Sequence, residues 1–329
     1  MSRIVARFLR SSGVVPDITP NTRLNFVKLR SLTSVLSLVF VDDDPIPRYV
    51  LKVERDRARA PKLASACKAL RIVAANPILR RSVPEVVYCG TPGGEGGLFA
   101  TLETFLDGPM LAIPLGIARD RGDHQEAARL LKAAYQWLAT FHATFPDGEP
   151  PSLAARFLEH LRTHIGSHMM EAALGLDLSE RLEDLAGSLC PEVLPWGRVH
   201  GDFNPYNVIL KKAQPLEIGV IDWDASEPGC QLFDAFQMAV VGHLLPAPPE
   251  NRIGLQDALW QGSDPEGAVF RQALARYAQN DQSFEHFRTA YSLYLAYMMA
   301  NLQVQAGTRP EPMIDFWKTL LTAELRRRA

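Results

Sequence analysis

One polar loop followed by two apolar runs constrains the fold of this chain more than any other feature. The loop has the pattern H-G-D-F-N-P-Y-N, and the runs are Val208–Leu210 and Ile218–Ile221, separated by a short turn. Two such runs predict the antiparallel strands of a hairpin. Asp202 lies on the loop, Asn207 directly before the first strand, and Asp222 at the end of the second. We therefore expect three oxygen-bearing side chains to converge, an arrangement that hard cations such as Mg²⁺ prefer.

This segment also carries a resemblance to a known family. The pattern H-x-D-x-x-x-x-N followed by I-D-W resembles that of the aminoglycoside phosphotransferase and choline kinase family, which shares its catalytic core with the protein kinases. The resemblance extends, with decreasing strength, over residues 30–239. It implies an α+β, protein-kinase-like fold of two lobes, with a β-rich N-lobe that contains one main helix and a mostly helical C-lobe.

The resemblance gives roles to the residues of the motif. Asp202 would accept the proton of the attacking hydroxyl as catalytic base, and His200 would shape the catalytic loop around it. Asn207 and Asp222 would bind Mg²⁺. The alternative is an ordinary turn with Asp222 as a strand-ending cap, but spacing, residue types and strand context together favour the catalytic interpretation.

Two further segments resemble the nucleotide-binding parts of the same family. Lys52, in the run Y-V-L-K-V, matches the strand lysine that would pair with the α- and β-phosphates of ATP, although a lysine in a strand is more often solvent-facing. Glu103, Thr104 and Phe105 lie between the β-rich and helical parts, where the family has a hinge. Backbone groups there would hydrogen-bond adenine.

The helix predicted over residues 60–75 departs from the kinase pattern, because it contains no acidic residue. Kinases normally pair the strand lysine with a glutamate on this helix. The only glutamate between Lys52 and Pro84 is Glu54, which shares a strand face with Lys52. Without a pairing glutamate, Lys52 would contact Asp222 or only the phosphates of the nucleotide.

The expected phosphate-covering loop is also unusual, because it contains no glycine. Ser31, Thr33 and Ser34 are its candidate phosphate-binding residues. Backbone N–H groups of a serine-rich turn can still cradle an anion.

The resemblance also implies supporting roles for two residues outside the main motif. Asp234 ends a segment that resembles the family pattern G-D-P-x-x-D, so it would brace the catalytic loop or cap a helix. His142, in a helix resembling the family's L-x-x-L-H, is interpreted as a packed structural histidine.

Two side-chain series at helical spacing leave alternatives open. Residues His160, His164 and His168 share one helix face and could bind zinc, contact an acceptor or line a solvated surface. Tyr291, Tyr294 and Tyr297 form an aromatic stripe, which is more often core than a cation cage.

Length and charge restrict the remaining classes. The 329 residues suit two domains, predicted as a nucleotide-binding lobe over residues 1–105 and a catalytic, acceptor-binding lobe over residues 106–329. A net charge of −2 argues against a nucleic-acid partner. The four cysteines are widely spaced, which favours a reducing compartment, and no apolar run is long enough for a membrane span. We expect a cytoplasmic protein.

The sequence thus predicts an ATP- and Mg²⁺-dependent phosphotransferase that acts on the hydroxyl of a small molecule. Amino sugars, amino alcohols and sugar-like metabolites all qualify, and Asp224 and Glu227 would suit a cationic acceptor. The first alternative is a non-catalytic nucleotide-binding protein, because the helix lacks its glutamate. A protein kinase is disfavoured by the absence of an A-P-E segment. Acceptor identity and oligomeric state stay open.

Overall fold

A computed structural model describes most of the chain, and its residues form two compact units. The described residues are 6–7, 9–10, 15, 18–29, 34–56, 58, 60–92, 97–146, 176–189, 194–280, 282–304 and 311–327. The first unit comprises Met1–Met110 and Asn207–Ser226, and the second comprises Leu111–Tyr206 and Glu227–Ala329.

The first unit is built on a five-stranded antiparallel sheet with the order β1-β2-β3-β5-β4. Its strands are β1 (Leu24–Leu29), β2 (Ser34–Val41), β3 (Tyr49–Glu54), β4 (Val86–Gly90) and β5 (Ala100–Thr104). Strands β2 and β3 form an antiparallel hairpin with Val39 opposite Tyr49. Helix α1 (Ala60–Ala74) contacts β4 and β5 and contains no acidic residue in its sequence.

The two faces of this sheet differ in chemistry. On one face, Leu51 and Leu102 pack in an apolar core with Leu9 and Ile18 from the segment before β1. This cover over the sheet has no clear signal in the sequence. It leaves the opposite face to carry the polar groups of β3 and β5.

That opposite face brings two charged side chains together. Lys52 pairs with Thr101 and Val50 pairs with Glu103 in the β3–β5 ladder. Paired residues share a face, as do residues two apart on one strand, so Lys52 and Glu103 are diagonal neighbours. Both are buried.

A second hairpin, of β7 (Val208–Ala213) and β8 (Leu216–Val220), belongs to the first unit although it comes late in the chain. Leu210 donates its backbone N–H to Pro109 at 2.9 Å, which ties the hairpin to the end of the unit's first segment. Gly108 makes this approach possible. Its φ is +133°, and a Cβ there would lie 2.3 Å from the Leu210 carbonyl oxygen.

A single domain boundary between residues 105 and 106 leaves the β7–β8 hairpin out of the first unit, to which it belongs by its contacts. The first unit runs to Met110 and resumes at Asn207–Ser226. The reason is the backbone pairing of β7 with the segment around Met110, which bridges to Ile209.

The second unit is mainly helical, with one short two-stranded sheet. Its helices are α2 (Ala112–Asp120), α3 (His124–Thr144), α4 (Leu176–Ser188), α5 (Leu232–Ala239), α6 (Arg252–Gln261), α7 (Pro265–Ala275), α8 (Ser283–Val304) and α9 (Glu311–Arg327). The strands β6 (Trp196–Val199) and β9 (Glu227–Cys230) pair antiparallel. Asp123 and Asp264 are the N-caps of α3 and α7, and each side chain accepts a backbone N–H group from the first turn of its helix.

Three further expectations concern the histidine series, a membrane span and the cysteines. The predicted helix face of His160, His164 and His168 falls in the part of the chain that the structure does not describe. Of the described helices, none combines the length and apolar character that crossing a bilayer requires. Cys67, Cys89 and Cys230 are thiols, and Cys190 lies outside the described residues.

Candidate active site

Lys52 is held between two carboxylates of the first unit. Its Nζ donates to Asp222 Oδ1 at 2.8 Å and to Asp224 Oδ1 at 3.2 Å. The lysine side chain is 10% exposed, whereas that of Asp222 is 46% exposed. Burial alone would lower the pKa of Lys52, but Glu103, Asp222 and Asp224 outweigh burial and raise it. The lysine is therefore a fixed positive charge. We call Lys52, Asp222, Asp224 and Glu103 the Lys52 cluster.

Glu103 supplies this cluster with a carboxylate that the sequence analysis does not predict. Its side chain is buried on the Lys52 face of the sheet, and the contact of its backbone with adenine stays a prediction. Burial raises the pKa of Glu103, and the charge of Lys52 opposes this rise. A strand carboxylate thus lies near the lysine in a protein whose helix α1 has none. The position of the Glu103 side chain follows from the register of β3 against β5, which the sequence does not specify.

The other two predicted hinge residues use their backbone N–H groups within the first unit. Thr104 donates to the Glu85 carbonyl and Phe105 donates to the Arg48 carbonyl, each at 2.9 Å. A contact of these two residues with adenine would therefore use their carbonyl oxygens.

Asn207 and Asp222 lie together at the open end of the β7–β8 hairpin. Ile221 donates its N–H to the Asn207 carbonyl at 2.9 Å, next to the Val208–Val220 pair. Asp222 has a φ of +64°, an uncommon left-handed conformation for a residue other than glycine. This conformation turns the chain from β8 into the 3₁₀ turn Trp223–Ala225, so Asp222 and Asp224 both reach Lys52.

The oxygen donors at this end fit a magnesium ion. Mg²⁺ is usually held by one or two carboxylates together with waters and substrate phosphates, rather than by a full protein cage. Asp222 and Asn207 offer a carboxylate and an amide oxygen. In the described part of the chain, no group of three His, Cys, Asp or Glu residues could hold a metal alone.

Asp202 lies in the second unit, where two amide side chains hold one of its oxygens. Asn204 Nδ2 donates to Asp202 Oδ1 at 2.8 Å, and Gln237 Nε2 donates to the same atom at 3.0 Å. The Asp202 backbone N–H donates to His200 Nδ1 at 3.3 Å, so this histidine contacts the backbone of the loop. His200 is fully buried.

A buried carboxylate, Asp234, braces the start of this loop. Its Oδ2 accepts the N–H of His200 at 2.7 Å, and its Oδ1 accepts the N–H of Gly201 at 2.8 Å. His142 Nε2 lies 3.1 Å from Asp234 Oδ2, while its Nδ1 lies 2.6 Å from the Tyr277 hydroxyl. Asp234 therefore makes the bracing contacts expected from the sequence, and His142 is packed against them. Side-chain capping of α5 by Asp234 is not seen, because the helix begins earlier, after Gln231.

The tyrosine stripe of α8 serves mainly as core. Tyr291 and Tyr294 are buried, and Tyr297 is half-buried. The Tyr294 hydroxyl donates to Gln237 Oε1. Gln237 was not singled out from the sequence, although it is the polar residue one turn after Asp234 in the apolar helix L-F-D-A-F-Q-M-A.

The predicted phosphate-covering loop is described only at its end. Ser34 is the first residue of β2, is buried and lies opposite Glu54 in the β2–β3 ladder. Ser31 and Thr33 lie outside the described residues. Their phosphate-binding role stays a prediction.

Comparison with known families gives a match over most of the chain. The family described as "APH: Phosphotransferase enzyme family" matches residues 29–271. No curated protein matched the chain by sequence.

Solved structures of similar fold extend over nearly the whole chain. The GDP complex of aminoglycoside 2′-phosphotransferase-IIIa is 16% identical, with a TM-score of 0.57 over 100% of both chains. A choline kinase from Cryptosporidium parvum Iowa II is 12% identical, with a TM-score of 0.58 over 100% of this chain and 95% of that one. An ethanolamine kinase from Plasmodium vivax is 14% identical, with a TM-score of 0.55 over 97% of this chain and 86% of that one. These likenesses confirm the predicted kinase-like, two-lobed α+β fold.

Proposed function

This chain belongs to the phosphotransferase enzyme family, and we propose that it transfers the γ-phosphoryl group of ATP to a hydroxyl of a small molecule. Family membership confirms the resemblance inferred from the sequence. The observation that carries the proposal is the Lys52–Asp222 ion pair. It joins two motifs 170 residues apart at 2.8 Å, the strand lysine predicted to contact phosphate and the aspartate predicted to bind Mg²⁺.

The roles of the protein groups follow from their chemistry. Lys52, kept charged by three carboxylates, would contact phosphate oxygens of the nucleotide. Asn207 and Asp222 would hold Mg²⁺, which when bound neutralises charge on those oxygens. Asp202 would orient the acceptor hydroxyl and accept its proton.

The transfer itself balances without a further reactant. The acceptor oxygen forms a bond to the γ-phosphorus, the bond from that phosphorus to the β–γ bridging oxygen breaks, and ADP leaves with the electron pair. The proton of the hydroxyl passes to Asp202 and then to solvent.

The acceptor class follows in part from the relatives. Those named above are aminoglycoside, ethanolamine and choline enzymes, whose named substrates carry amino or ammonium groups beside a hydroxyl. We propose a hydroxyl compound of this kind, an amino sugar, an amino alcohol or a related sugar. The identity of the compound needs a direct screen.

The test is an ADP-release screen over amino sugars, amino alcohols and simple sugars, with mass spectrometry of the acceptor. We expect one compound to gain a phosphoryl group in step with ADP formation, and Asp202→Asn to abolish the gain. ADP release without a phosphorylated acceptor would show idle hydrolysis and contradict the proposal.

A non-catalytic nucleotide-binding protein is the second candidate, because helix α1 lacks the acidic residue that kinases place there. Such a protein would bind ATP, as seen by a rise in melting temperature, but phosphorylate none of the compounds. Its nucleotide-dependent behaviour would also be the same with Asn at position 202.

A further inference from the structure

Gln237 makes a contact with Asp202 that no motif of the family resemblance predicts. It lies on α5, one helical turn after Asp234, and is 7% exposed. Its Nε2 donates to Asp202 Oδ1 at 3.0 Å. Such a buried amide is retained at a cost unless both its ends are hydrogen-bonded.

Tyr294 satisfies the other end of this amide. Its hydroxyl, from α8, donates to Gln237 Oε1, and the residue is only 2% exposed. Burial raises the pKa of Tyr294 well above its usual value, so the phenol keeps the proton that it donates. Since a phenol O–H donates to the amide oxygen, the amide nitrogen must face Asp202. Tyr294 therefore fixes which end of Gln237 the carboxylate meets.

The ring of Tyr294 is itself held by aromatic packing. Phe233 lies 5.2 Å from it between ring centroids, Phe236 5.8 Å and Trp317 5.9 Å. The hydroxyl thus has little freedom to leave Gln237. The aromatic residues around Tyr294 are thus connected, through the amide of Gln237, to the carboxylate of Asp202.

We propose that Gln237, oriented by Tyr294, is a positioning residue that fixes the rotamer of Asp202 and keeps its carboxylate in the form that accepts a proton. The inference rests on the proposed function for its catalytic meaning, but the contact itself belongs to the second unit alone. Asn204 shares the same oxygen and sets the carboxylate from the loop side.

Three titratable residues of the described second unit, His200, Asp234 and Tyr294, lie near Asp202 and make hydrogen bonds of their own. His200 accepts the Asp202 backbone N–H through Nδ1. Asp234 is occupied by the N–H groups of His200 and Gly201 and by His142. The hydroxyl of Tyr294 faces Gln237. Substitution of Gln237 therefore changes the hydrogen bonding of Asp202 without removing any of these groups.

The test compares Gln237→Met with a matched control, Gln256→Met. Gln256 is also buried, in α6, and donates to a carboxylate, that of Glu324, at 3.3 Å. For Gln237→Met we expect kcat to fall about 10- to 100-fold, because small misplacements of a catalytic group cost this much. The acid limb of the kcat/KM profile should move up by about one pH unit, since a donor to an anion is lost. Gln256→Met should leave the profile in place.

Gln237→Glu and Tyr294→Phe separate charge from orientation. Glutamate places a second carboxylate against Asp202, so the acid limb should move up further than in Gln237→Met. Tyr294→Phe leaves the amide present but unfixed, so kcat should fall only a few-fold, by about fivefold at most. Its control is Tyr291→Phe on the same helix, where the buried hydroxyl makes no hydrogen bond with the described residues. That variant should not change the profile.

A measurement without acceptor keeps this inference separate from the function. With ¹³C-carboxyl-labelled aspartate, the resonance absent from Asp202→Asn is assigned to Asp202 and titrated. It should titrate about one pH unit higher in Gln237→Met than in the unchanged chain. An unshifted titration would overturn the positioning role even if phosphoryl transfer is established, whereas a shifted one would support it even if no acceptor is phosphorylated.

Discussion

The Lys52 cluster of the first unit and the Asp202 contacts of the second unit are both built around carboxylates, but different groups hold them. Asp222 and Asp224 are partly exposed and are held by a single ammonium group. Asp202 is held by the neutral amides of Asn204 and Gln237, which are buried. One arrangement depends on an ion pair between charged side chains, and the other depends on hydrogen bonds from neutral amides.

The difference suits two tasks. The proposed site for phosphates and a cation must exchange partners during each turnover, and the aspartates of the ion pair are exposed enough to meet such partners. A catalytic base must keep one orientation, which buried hydrogen bonds secure. The following predictions test this contrast, in order of decreasing effect.

Asp202→Asn should produce the largest effect, because it removes the proposed proton acceptor while keeping the side-chain shape. We expect kcat to fall by about 10²- to 10⁴-fold, the usual contribution of a general base. The shift of melting temperature with Mg–ATP should stay within about twofold in apparent affinity. Activity and thermal shift measured on one preparation give both values.

The matched control for this change is Asp184→Asn on α4, where the aspartate is exposed. It should keep full activity. Equal activity of the Asp202→Asn and Asp184→Asn variants would show that Asp202 of the second unit is not the base. The contrast between the two regions would then have no bearing on catalysis.

Glu266 is a third type of carboxylate, one that is buried and hydrogen-bonded to an arginine and a histidine. It is 3% exposed and accepts from Arg119 and His243. Burial alone would raise the pKa of Glu266, but the hydrogen bonds from His243 and Arg119 lower it to about 2. A lowered carboxyl pKa gives stability above the unfolded value of 4.5, and this stability is lost as pH falls toward 2. We expect a loss of about 3 kcal/mol across that window.

Urea unfolding at several pH values checks this expectation. The difference in unfolding free energy between the unchanged chain and Glu266→Gln should shrink as pH falls from 4.5 toward 2. Glu217→Gln, which removes an exposed partner of Lys212, is the control and should show far less pH dependence. A constant difference for Glu266→Gln would mean that the charge of this carboxylate adds no stability.

Lys52→Met probes the ion pair of the Lys52 cluster directly. Without the ammonium, Asp222 and Asp224 repel each other, so the free energy of unfolding should fall by about 1–2 kcal/mol, an amount limited by solvent screening. Mg²⁺ without nucleotide should then raise the melting temperature more in this variant than in the unchanged chain, because it replaces the lost charge. Lys212→Met, which breaks the exposed pair with Glu217, is the control. An equal response to Mg²⁺ in both variants would argue against a cation site at Asp222.

Sequence alone located the parts of the site that rest on local pattern. The loop with Asp202 and the hairpin between Asn207 and Asp222 follow from apolar runs and a turn, and the observed strands lie where these runs predict. The bracing by Asp234 followed from the family resemblance. Each of these depends on residues close together in the chain or on a recurrent motif.

The contacts that sequence reasoning missed depend on packing between distant elements. The place of the Glu103 side chain follows from the register of β3 against β5, which no local pattern specifies. Gln237 reaches Asp202 only because α5 lies against the catalytic loop, and Tyr294 reaches Gln237 from a helix 57 residues later in the chain. The apolar cover over the β-sheet has the same origin, since it joins Leu9 and Ile18 to strands that come later.

Glu103→Gln should give the smallest effect and shows whether the strand carboxylate stands in for the absent helix glutamate. Glutamine keeps the shape but removes a buried charge, so unfolding free energy should change by less than about 1 kcal/mol. Lys52 keeps its contacts with Asp222 and Asp224, so Mg–ATP affinity should fall only about two- to fivefold. Glu85→Gln, an exposed change near Thr104, is the control for thermal-shift titrations with Mg–ATP. A much larger loss of Mg–ATP affinity would mean that Glu103, rather than the aspartates, holds the lysine in place.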